Sequence, residues 1–225
     1  MTRDDSFWRR NALGLTCFGV FAVLVVGLAL TGHHAYNAEQ HVLGNPAVSF
    51  ATYLGEGHFW EAVFENWESE FLQMAAYIIL TVFLIQKGSS ESKDPEKHDP
   101  VDDDPREADL RRSGVPWPVR RGGIWLELYE NSLFLAFVLL FLASIVGHAF
   151  GGLDVYNDDL RQNGEPAVSV WGYVTSAEFW YESFQNWQSE FLAVFAIIFL
   201  SIYLRQRGSP ESKPVMEPHS STGTA

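Results

Sequence analysis

The chain has 225 residues and a net charge of −13, and its apolar residues are gathered into blocks, so a mean hydropathy close to zero averages a membrane part and a water part. A single cysteine, Cys17, excludes an internal disulfide framework and any cysteine-based zinc site, and its place within the first apolar block reads as that of a small buried hydrophobe. The acidic balance offers no basic surface for nucleic acid, and no phosphate-binding glycine loop, HExxH or GxSxG motif is present, so no enzymatic activity and no cofactor is expected.

Residues 1–10 form a short N-terminal segment with Arg3, Arg9 and Arg10. The first apolar block runs from about Ala12 to Thr31, roughly 20 residues without a charge, which as a helix covers about 30 Å, the thickness of a hydrocarbon core. A charged start before an apolar centre also fits a cleaved signal peptide. That reading is disfavoured because a similar block, about Tyr129 to Gly151, lies mid-chain where cleavage cannot remove it. The second block, about Phe59 to Gln86, opens with polar and aromatic turns and is continuously apolar only from about Phe71 to Ile85. Residues 88–122 then form a linker rich in charge, Pro and Ser, which cannot bury apolar surface and reads as disordered. The fourth block, about Phe179 to Gln206, resembles the second, and the tail 208–225 is polar and reads as disordered too.

Residues 11–93 and 131–213 align without a gap at an offset of 120, with about 35 of 83 positions identical. Each copy is a hairpin of two spans, giving repeats at 11–87 and 123–207. The expected fold is an all-α membrane protein with four transmembrane helices, built from two parallel two-helix repeats. Each repeat contains an even number of spans, so a pseudo-twofold axis along the membrane normal would relate them. Lysine and arginine concentrate at both ends and in the linker, while loop 32–58 has none and loop 152–178 only Arg161. The positive-inside rule therefore places both termini and the linker in the cytoplasm. All eight tryptophans fall near span ends or in flanking loops, as in an aromatic belt. In both outer loops a Tyr-Asn pair (36–37, 156–157) precedes Gly-x-Pro-Ala-Val-Ser, read as a short interfacial helix or turn over 46–54 and 166–174 with the proline at its start. Thr175-x-x-Glu178 reads as a capping box for the fourth span.

Candidate chemistry centres on Glu70 and Glu190, the equivalent carboxylates of the two copies. From Glu70 to Gln86 is about 24 Å along a helix, so the carboxyl lies roughly 6 Å inside the outer boundary of a core about 30 Å thick. A carboxylate there is costly unless protonated, paired or facing water. Asn66 and Asn186 lie one turn earlier and Ser69 and Ser189 are adjacent, so the six residues could ligate a proton or small cation, although a carboxylate that leans to outer water or locks the bundle is the favoured reading. His33, His34, His41 and His58 share the first outer loop, a weak metal candidate whose spacing matches no known signature; solvated loop histidines are the favoured reading. Gly147-x-x-x-Gly151 permits close helix approach, with Gly27-x-x-x-Thr31 its weaker counterpart.

The motif FxNWxSEFL (64–72, 184–192), followed by an apolar run and QxGSxESK (86–93, 206–213), resembles a family of bacterial integral membrane proteins of unknown function in which this hairpin is duplicated. The resemblance implies a bacterial inner membrane and supplies no activity. The leading expectation is a multi-pass protein that transports protons or small cations, with the lipid bilayer and a second copy of the chain as partners. The rival is a non-catalytic structural or envelope-stress protein acting through lipid or partner contacts.

Overall fold

The structure, a computed structural model, describes residues 7–107 and 109–223. Residues 1–6 of the N-terminal segment, including Arg3, residue 108 of the linker and residues 224–225 of the tail lie outside the described residues. The described residues contain helices and turns but no strand. Helix α1 (Phe7–Arg10) leads into α2 (Ala12–Val42); α3 (Phe50–Tyr53) bridges to α4 (Gly57–Phe83). In the linker, two single-turn 3₁₀ segments (Pro100–Asp102, Pro105–Glu107) precede α5 (Trp117–Arg121) and α6 (Ile124–Glu130). The second half repeats the order with α7 (Ser132–Gln162), α8 (Val170–Val174) and α9 (Ala177–Tyr203). Helices α2 and α7 have 31 residues each, and α4 and α9 have 27.

Helices α2, α7 and α9 are long and apolar enough to cross a membrane. On α2 the large apolar side chains Leu13, Phe18, Val23, Leu24 and Val26 are exposed, an arrangement suited to lipid and costly in water. Helix α4 is long enough but not among the three; Glu61, Glu65, Glu68, Glu70 and Gln73 interrupt its apolar character.

The helices run past the apolar blocks. Helix α2 continues three turns beyond Thr31 and α7 three turns beyond Gly151, so His33, His34 and His41 are helical and not in a loop. The reason is local. Asn37 receives the Val48 N–H at 2.7 Å and donates to the Val48 carbonyl at 3.0 Å; Asn157 does the same with Val168 at 2.7 and 3.1 Å. One amide side chain thus satisfies both backbone groups of an extended residue and pins the returning chain against the projecting helix. The prolines lie in this extended stretch, and the short helices begin later, capped by Ser49 and Ser169. The cap of α9 is Ser176, which accepts from Phe179 N–H, not Thr175, whose hydroxyl turns back to the Trp171 carbonyl. The equivalent start of α4 has no side-chain cap.

Packing is uneven. Helix α4 lies along α7 for much of its length and also against α9, while α2 meets the rest mainly through the Val48 segment, α3 and a short part of α4. Gly147 and Gly151 permit the α4–α7 approach: a methyl group on Gly151 would stand 2.6 Å from the backbone nitrogen of Glu61, and one on Gly147 would stand 2.5 Å from the Phe64 ring. A twofold axis relating the hairpins would pair α2 with α9 as it pairs α4 with α7. Within one chain only the latter pair packs along its length.

The tail makes contacts that its composition does not foretell. The Lys213 ammonium is buried and donates to the carbonyls of Gly88, His219 and Ser221, and Thr222 accepts from Gly88 N–H at 2.9 Å. The tail thereby ties the end of the second hairpin to the start of the linker.

Candidate functional site

Where α4, α7, α8 and α9 meet, a polar cluster is buried inside the bundle. His148 of α7 is fully buried. Its Nδ1 lies 3.0 Å from Glu68 Oε2 of α4 and its Nε2 3.3 Å from Glu182 Oε2 of α9, so one imidazole bridges carboxylates of two other helices. Glu68 is also fully buried, and its second oxygen accepts from the Trp187 indole N–H at 3.1 Å. Glu182 also accepts from the Tyr173 hydroxyl at 2.7 Å. Tyr173 lies outside the spanning helices; burial, reinforced by the Glu182 carboxylate, pushes its phenol well above the usual range and keeps it a donor. The Phe179 ring stacks on the imidazole with centroids 4.8 Å apart, and Asn186 donates to Glu65 at 2.5 Å.

The helical repeat accounts for this convergence. Phe179, Ser183 and Trp187 follow at intervals of four on α9, with Glu182 and Asn186 beside them, so all five share one face. On α4, Glu61, Glu65 and Glu68 line the face turned toward α7 and α9. Ser183 is fully buried, lies between the residues that touch His148 and Glu68, and its hydroxyl makes no hydrogen bond among the described residues.

The cluster opens through acidic surface at the end of the bundle where α7 ends and α9 begins. A cleft of about 240 Å³ is lined by Glu61, Asp159, Glu178 and Glu182 among others. A second, of about 210 Å³, shares Asp159 and adds Glu39, Glu56, Asp154 and Asp158, with Arg161 and His58. Arg161 is engaged by Asp158 at 2.6 Å. Carboxylates therefore dominate both clefts and favour cations over anions.

The residues singled out by sequence fall elsewhere. Glu70 is exposed and Glu190 partly covered at the α4–α9 seam, where Gln73 donates to the Glu190 backbone carbonyl at 3.3 Å. Asn66 donates to the Ala62 carbonyl of its own helix, and Ser69 and Ser189 bond the carbonyls of Asn66 and Asn186. Of the six, only Asn186 joins the buried cluster. Among the histidines, His33 lies 2.9 Å from the Val48 carbonyl and His58 lies 3.4 Å from the Tyr53 hydroxyl. Among the described residues no three His, Cys, Asp or Glu side chains converge where they could hold a metal ion.

Sequence reasoning missed Glu68, His148 and Glu182. A signal was available: His148 is a lone histidine within an apolar span, and it replaces Leu28 of the first copy.

No curated protein and no solved structure matches the chain. A family model described as "Domain of unknown function (DUF6766)" matches residues 4–224, nearly the whole length, and the chain belongs to that family.

Proposed function

We propose that this is a multi-pass membrane protein that takes up and relays protons at the Glu68–His148–Glu182 cluster. The observation carrying this reading is the His148 imidazole held between two carboxylates of different helices, one fully buried and the other, Glu182, lining an outer cleft. An imidazole with a partner at each nitrogen can accept a proton on one side and release it on the other. Glu182 is the entry group and Glu68 the inner one. Four carboxylates, Glu61, Glu65, Glu68 and Glu182, accompany one imidazole, so the cluster needs further positive charge to be neutral when all are ionised. The buried Ser183 hydroxyl supplies an uncommitted ligand on the same face.

Helix α4 is the fourth span in this reading, its carboxylates shielded from lipid by α7 and α9. The two hairpins run parallel, and the distribution of Lys and Arg puts both ends and the linker on the cytoplasmic side of a bacterial inner membrane, with the acidic clefts outside. The protein acts without enzymatic chemistry.

Full burial of Glu68 and His148 favours a second reading, in which the cluster only locks the bundle. Proteoliposomes separate the two. With an imposed proton gradient and a trapped pH-sensitive dye, the native protein is expected to dissipate the gradient and Glu182→Gln to slow this by at least about tenfold, a lower bound beside the roughly 10²–10⁴-fold that one positioned acid–base group contributes. Native proton flux at the level of empty liposomes removes the relay reading and leaves the lock.

A further inference from the structure

We propose that the exposed faces of α2 and α9 bind a second copy of this chain, α2 of each copy lying on α9 of the other, to form a dimer of four hairpins in a ring. The template is the interface the chain fills internally. At an offset of 120, α7 corresponds to α2 and α4 to α9. The α7 positions that α4 covers are Ser144, His148 and Gly151, all buried; their equivalents Leu24, Leu28 and Thr31 are exposed, Leu24 at 65% against 2% for Ser144. The space over Gly27 is open, whereas that over its equivalent Gly147 is filled by Phe64. The α9 half is equally bare. Glu61, Phe64, Glu65 and Glu68 are covered to varying degrees on α4, but Tyr181, Phe184, Gln185 and Gln188 are exposed on α9, Phe184 at 57%.

Both open faces have also lost the charge of the filled one. Tyr181 stands for Glu61, Gln185 for Glu65, Gln188 for Glu68, and Leu28 for His148. The result is a neutral pair of surfaces with matching geometry. Lipid would cover Leu24 and Leu28 adequately but would leave the Gln185 amide without a partner and Gln188 with only its bond to the Gln185 carbonyl at 3.1 Å, and protein contact supplies the rest. Thr31 and Ala177 replace Gly151 and Gly57, so the second interface is the wider of the two. Within one chain α4 packs on both α7 and α9, which leaves one face of α2 and the 181–188 face of α9 bare, and a second chain covers both at once.

Paired cysteines test this. In a Cys17→Ala background, Thr31→Cys and Tyr181→Cys stand where Gly151 and Glu61 make their closest backbone approach. Mild oxidation in membranes is expected to move the double variant from 25.4 kDa to twice that mass, reversibly with thiol, while each single variant stays at 25.4 kDa. Crosslinking of a single variant as efficient as that of the pair, a ladder of larger species, or no crosslinked band overturns the proposal. The uncrosslinked native protein in a lipid nanodisc provides the control for misfolding. Two copies are expected by light scattering, and a single copy also overturns the proposal, lipid then covering both faces. Neither readout involves flux, so its failure is distinct from failure of the relay.

Discussion

His148→Leu is expected to destabilise the protein by about 3–5 kcal/mol, because it strands the buried Glu68 carboxylate and removes the bridge to Glu182. The first repeat supplies the repair. It has Leu28 where the second has His148, its Ala62 stands for Glu182, and Gln188 of α9 stands for Glu68 of α4. The triple variant Glu68→Gln, His148→Leu, Glu182→Ala should therefore recover most of the lost stability, since no buried charge remains unpaired. It should still carry no flux. Thermal unfolding of parent, single and triple variants in one detergent measures the first part, and the proteoliposome assay the second. A His148→Leu protein that melts with the parent would show that the bridge contributes nothing to the bundle.

The second large effect is expected at Gly151. Any Cβ there meets the Glu61 backbone nitrogen at 2.6 Å and the Glu61 Cα at 3.1 Å, atoms of a helix that cannot rotate away as a side chain can. Gly151→Ala should cost about 1–3 kcal/mol by forcing α4 and α7 apart. Gly151→Leu should prevent their docking, and with it the His148–Glu68 contact. Gly19 is the control: nothing lies within 4 Å of a methyl group there, so Gly19→Ala should leave the melting temperature unchanged or slightly raised, as alanine suits a helix interior better than glycine. Equal melting of Gly151→Ala and Gly19→Ala would contradict the close α4–α7 packing.

The helices were legible because lipid-facing apolar runs are long and unmistakable: α2, α7 and α9 start within three residues of their expected positions. The C-terminal ends of α2 and α7 were not, because three polar turns keep helical geometry once Asn37 and Asn157 hold the returning chain, a bond across 11 residues that composition does not reveal. The site was missed for a different reason. Glu70 and Glu190 drew attention as positions where the copies agree, yet the buried cluster is built where they differ: His148 against Leu28, Glu182 against Ala62, Glu68 against Gln188. Agreement between copies records what both hairpins need to fold; a function made from one hairpin meeting the other requires residues that only one side carries. That α4 docks on α7, and not on its own hairpin partner α2, depends on Gly147 and Gly151 and on cross-repeat contacts that no single hairpin encodes.

The proposed relay requires that His148, buried where α4, α7 and α9 meet, exchange protons with bulk water through Glu182. Solid-state ¹⁵N NMR of the protein in bilayers tests it, with His148 assigned by difference from His148→Leu. The account predicts that the His148 ring signals shift with bulk pH and that Glu182→Gln alters that response. Ring signals that stay fixed over the whole pH range in which the protein remains folded would contradict it.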